Sequence, residues 1–80
     1  MSMEEKVLAV LAQVTEVDQV KQDLDLRLYE LGILDSFKTV ELIVAFSEQL
    51  GIDISPTEFE RAEWATPRAM VAALARKVQA

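Results

Sequence analysis

Three runs of apolar residues at helical spacing, each opened by a residue that can cap a helix, constrain this sequence more than any other feature. The first begins at Ser2, which pairs with Glu5 as a capping box, and continues through Met3, Val7, Val10, Leu11 and Val14 to about Thr15. The second starts at Asp35-Ser36, both good N-cap residues. Phe37, Val40, Ile43, Val44 and Leu50 read as its one apolar side, and Gly51 as its stop signal. The third follows Thr66-Pro67. Met70, Val71, Leu74 and Val78 read as inward, and Arg76 and Lys77 fall where cations meet the negative end of the helix dipole. Ser55-Pro56-Thr57-Glu58 predicts a further short helix to about Ala62. Nothing alternates as a strand does, because Gly51-Ile52-Asp53-Ile54-Ser55 is too brief to stand as a sheet.

Between the first two helices lie about 20 residues, from Glu16 to Asp35, in which the periodicity weakens. A connection that long in a small domain has to be functional or held down by its own apolar side chains. Val17, Val20, Leu24, Leu26, Leu28, Tyr29, Leu31, Ile33 and Leu34 point to holding down, with a helical turn at Leu28–Gly32 that Gly32 ends. With 80 residues, only two Gly and two Pro, and 51 % hydrophobic side chains, the chain supports one core and a single domain, 1–80. The expected fold is all-α: a small four-helix bundle of three main helices and one short helix, with a long loop after the first.

The chain contains no His and no Cys. A serine nucleophile usually needs a neighbouring general base, most often His, and zinc sites use Cys or His, so self-sufficient catalysis and a metal site are not expected. The formal net charge of −6 disfavours nucleic acid and anionic lipid as partners. That acidity serves either solubility or attraction of a basic protein partner. Charges interrupt every apolar stretch before membrane-spanning length, so direct membrane insertion is not expected. Met1 to Lys6 lacks a leader's basic start and apolar run, which makes the cytoplasm the default location and a monomer the simplest state.

Ser36 is the position where chemistry is expected. It follows the long loop and opens a helix whose first N–H groups favour negative charge, so a phosphate ester on its hydroxyl would find donors nearby. Spacing alone leaves open a plainer role, a cap worth about 1 kcal/mol. Trp64, a lone aromatic before a helix cap, reads as a core anchor, and Phe37 and Val40 as core.

Leu34-Asp35-Ser36-Phe37 followed by Thr39-Val40-Glu41-Leu42 resembles the phosphopantetheine attachment motif of the acyl carrier protein superfamily, in which the serine carries the arm. Phe37, Glu58-Phe59, Arg61 and Glu63-Trp64-Ala65-Thr66-Pro67 resemble the D-alanyl carrier branch of that superfamily. Two residues, Ile33 and Leu34, separate Gly32 from Asp35 where fatty-acid carriers have one, which also fits that branch.

The resemblance implies an acyl-carrier-like bundle with 4'-phosphopantetheine covalently attached at Ser36. A phosphopantetheinyl transferase (holo-acyl-carrier synthase) would place it, using coenzyme A and magnesium. A D-alanine ligase would load D-alanine as a thioester, and membrane acyltransfer machinery would pass it toward lipoteichoic or teichoic acid of Gram-positive cell walls. The chain would then be a substrate and not an enzyme. Asp35 is expected to face the transferase or to cap the helix. Glu41 is either a docking carboxylate or an ordinary exposed acid. A peptidyl or acyl carrier for another amino or fatty acid is the alternative within the class.

Overall fold

In the computed structural model, which describes residues 2–54 and 61–79, α1 runs Met3–Thr15, α2 Ser36–Leu50 and α3 Pro67–Gln79. Single-turn 3-10 helices lie at Asp18–Lys21 and Arg61–Trp64. The described residues contain no strand. The expected short helix from Ser55 falls mostly outside the described residues; the 3-10 turn is what they show of that region.

The caps explain the helix boundaries. Ser2 Oγ accepts the Glu5 N–H at 3.1 Å, and Asp35 Oδ1 accepts the Lys38 N–H at 2.8 Å. Thr66 Oγ1 accepts the Ala69 N–H at 3.1 Å, with Pro67 buried as the first residue of α3. Gly51 closes α2 at φ 68°, a backbone region that side chains other than Gly resist.

α1 is the hub, touching α2, α3 and the first 3-10 helix. It buries Val7, Val10, Leu11 and Ala12 against Leu42 and Phe46 of α2 and Met70 and Leu74 of α3 in one continuous core. Trp64 belongs to that core and meets the Phe46 ring edge to face, with centroids 5.7 Å apart at 76°.

The long connection is held down as its composition predicts. Val20, Leu28 and Leu34 are buried. The Leu28 N–H donates to the Ala65 carbonyl at 2.8 Å, and the Arg68 N–H to the Leu24 carbonyl at 3.0 Å, so the approach to α3 and its first turn grip the loop. The predicted turn at Leu28–Gly32 forms and ends at Gly32 with φ 75°. Arg68 Nε lies 3.0 Å from Asp25 Oδ1 in an exposed ion pair.

One expected face, on α2, is wrong, and one residue of the α3 row departs from it. On α2 the buried residues are Thr39, Leu42 and Phe46, with Ile43 and Leu50 half-buried. Phe37 is 71 % exposed, Val40 59 % and Val44 48 %. Residues two apart on a helix point about 200° from each other, so the Phe37-Val40-Val44 row lies opposite the Leu42-Phe46 row. Both rows are apolar, and α1 and the loop can cover only one. Val78, expected inward, is also exposed in the last turn of α3, where it borders an open groove with Met3, Leu50 and Ile52.

Candidate functional site

Ser36 occupies the first position of α2, directly after the Asp35 cap, and is exposed. No hydrogen bond engages its hydroxyl among the described residues. Of the N–H groups in the first turn, that of Lys38 goes to the Asp35 carboxylate and that of Thr39 to the Asp35 carbonyl. The N–H groups of Ser36 and Phe37 remain unpaired among the described residues. A phosphate ester at Ser36 therefore meets two open donors at the positive end of a 15-residue helix. The serine fits the attachment of a phosphate-bearing group.

Asp35 does the work of a cap, since its Oδ1 is engaged by the Lys38 N–H. Glu41 is not beside Ser36: five residues on, it sits about 140° around the helix axis. It is half-buried, and one of its oxygens lies 3.9 Å from Lys38 Nζ. Lys38 itself is drawn away from the open face, because its ammonium donates to the Val14 carbonyl in the last turn of α1 at 3.2 Å. That carbonyl is one of those left over at a helix end, so the contact caps α1 and withdraws a positive charge from the surface around Ser36.

Phe37, Val40 and Val44 share an arc of about 100° with Ser36. They make an apolar, solvent-facing strip that begins at the serine. Reading one row of α2 as its buried side missed this strip. The signal was present in the surplus of apolar residues, since Leu42 and Phe46 form a second row that one-sided burial leaves unaccounted for.

On the side away from the strip, the Tyr29 hydroxyl lies 2.7 Å from Thr39 Oγ1, and Thr39 Oγ1 donates to the Asp35 carbonyl at 2.7 Å. The loop is thereby tied to the turn that holds Ser36. This contact joins residues ten apart across a bend, which periodicity does not report.

Residues 5–74 match the family described as "Phosphopantetheine attachment site". The chain is 51 % identical over 67 residues to proteins described as "D-alanyl carrier protein" from Bacillus cereus and Bacillus anthracis, covering 84 % of this chain and 85 % of each relative. With most of the chain matched, and an exposed serine opening a capped helix within the matched span, the protein belongs to the phosphopantetheine-attachment family of carrier domains.

Proposed function

We propose that this chain carries D-alanine as a thioester on a 4'-phosphopantetheine arm attached to Ser36, for D-alanylation of lipoteichoic or teichoic acid. The observation that carries the reading is Ser36 itself: exposed, without a hydrogen-bond partner among the described residues, and at the first position of α2 inside the matched span. The relatives' description as D-alanyl carrier proteins supports the cargo.

The arm supplies a thiol on a flexible tether. The chain's own residues hold the attachment point. Asp35 fixes the start of α2, and the open Ser36 and Phe37 N–H groups favour the phosphate. Arm transfer forms a bond from Ser36 Oγ to phosphorus, breaks the pyrophosphate linkage of coenzyme A and releases adenosine bisphosphate. The serine's proton goes to a base of the transferase. A carrier in this scheme is the substrate of its partners: the transferase, a D-alanine ligase and membrane acyltransfer machinery.

Those partners have to approach Ser36, and the strip of Phe37, Val40 and Val44 is the surface they meet. Glu41 lies at the margin of the strip and supplies a carboxylate for steering, while Asp35 acts chiefly as a cap. No described helix is long and apolar enough to cross a membrane.

The test is intact-protein mass before and after incubation with coenzyme A, magnesium and a promiscuous phosphopantetheinyl transferase, with Ser36→Ala alongside. A gain of one phosphopantetheine, lost in the variant, is expected. Loading by a D-alanine ligase, compared with L-alanine and other acids, then checks the cargo. Preferential loading of another acid would replace it with the corresponding peptidyl or acyl carrier role.

A further inference from the structure

The first turn of α2 is held from below by a one-way chain of hydroxyl groups. Thr39 sends both its backbone N–H, at 2.9 Å, and its side-chain O–H, at 2.7 Å, to the carbonyl of Asp35. A hydroxyl has a single proton to give. Thr39 commits its own to that carbonyl, so Tyr29 is the donor in the 2.7 Å contact between the two hydroxyls. The sequence of bonds runs Tyr29 to Thr39 to the Asp35 carbonyl, and each polarises the next. Thr39 is buried and Tyr29 half-buried, so water competes weakly for these bonds.

The end of the chain matters more than its strength. The Asp35 carbonyl and the Ser36 N–H belong to one planar peptide unit. Fixing the carbonyl fixes the direction of that N–H, and with it the backbone angles from which the Ser36 side chain projects. Tyr29 also sits in the turn between Leu28 and Gly32, which the buried Leu28 anchors to the core. The loop is thus connected to the serine by a route other than the chain itself.

We propose that Tyr29, acting through Thr39, is a positioning residue for Ser36: it orients the Asp35–Ser36 peptide so that the serine hydroxyl is presented for phosphoryl transfer. This rests on Ser36 being the attachment serine. A purely structural role for the Tyr29–Thr39 bond would lower stability and leave transfer untouched.

The experiment uses the full apo chain with coenzyme A, magnesium and a phosphopantetheinyl transferase, varying carrier concentration so that kcat and KM separate. Tyr29→Phe removes the donor and keeps the ring. It is expected to lower kcat roughly fivefold, the factor matching loss of one ordinary hydrogen bond, with KM changed by less than about twofold. Thr39→Val should show a similar loss, and Thr39→Ser, which restores the hydroxyl, should recover most of it. The double variant Tyr29→Phe with Thr39→Val should be no slower than Thr39→Val alone, because the two act in series. Amide exchange at Thr39, whose N–H is bonded to the same Asp35 carbonyl, should quicken in Tyr29→Phe before any arm is attached. An unchanged kcat overturns the proposal, as does a rate loss that only follows the fraction of folded protein seen by circular dichroism. If the parent chain takes no arm, the attachment reading fails separately, and unchanged Thr39 amide exchange would dispose of the positioning geometry as well.

Discussion

The two sides of α2 carry nearly the same kind of residue and have opposite fates. Leu42 and Phe46 are sealed in the core, while Phe37, Val40 and Val44 face solvent. Hydrophobicity does not separate the two rows; their surroundings do. α1 covers the first row, the Tyr29–Thr39 bond brings the loop down on the same side, and no described element covers the second. An apolar row left uncovered beside Ser36 costs solubility, and under the proposed function it is the surface that partners would meet.

Exchanging one aromatic on each row is the strongest way to break this comparison. Phe46→Ala removes a fully buried ring that meets Trp64 edge to face, and should cost about 3–5 kcal/mol, a large share of the stability of so small a domain. Phe37→Ala should shift stability by less than about 0.5 kcal/mol. Urea unfolding followed by circular dichroism measures both. Equal losses would mean that the Phe37 side is packed after all.

Much of the molecule was legible in the sequence. The helix starts at Ser2, Asp35 and Thr66 were readable because a cap is a local device: one side chain satisfies an N–H three residues away. The same holds for Gly32 and Gly51, whose left-handed backbone is a property of the residue itself. The motif singled out Ser36, and the structure shows that residue exposed at the first position of α2, within the span that the family matches. The choice of face on α2 was not legible, because periodicity identifies a helix and leaves open which of two apolar rows the rest of the chain covers. Val78 failed similarly, since its row is right and only its place in the last turn exposes it. The Tyr29–Thr39 and Lys38–Val14 contacts join distant positions and leave no trace in spacing.

A smaller effect sharpens the comparison at the margin of the open strip. Glu41 is half-buried and close to Lys38, yet Lys38 is turned toward the Val14 carbonyl, so the carboxylate is only loosely compensated. Glu41→Lys should slow arm transfer and ligase loading a few-fold at low ionic strength, and the deficit should shrink as salt rises through the range where the Debye length falls below about 10 Å. Stability should hardly change, in contrast to Phe46→Ala. A deficit that does not depend on salt would assign the effect to local packing and remove Glu41 from the docking surface.

The smallest effect concerns the loop that decides which row of α2 is covered. Its outer end is fastened to α3 by Arg68, whose backbone N–H reaches the Leu24 carbonyl and whose guanidinium pairs with Asp25. The hydrogen bond from Arg68, and then its charge, hold the Asp25 carboxyl below its ordinary range. A carboxyl whose pKa is lower in the folded chain stabilises that chain at neutral pH. The contribution drains as the pH falls through the carboxylate range to the folded value. Both partners are exposed, so the pair contributes little. Arg68→Gln should therefore lower the unfolding midpoint slightly at pH 7, and the parent and variant curves should converge in acid. Arm transfer to Ser36 should be unaffected, because Leu28 and Leu34 keep the inner part of the loop in the core without the ion pair. A variant that lost transfer at neutral pH would show that the far end of the loop also governs the serine, and that the covered side of α2 is set by the whole connection and not by its buried leucines.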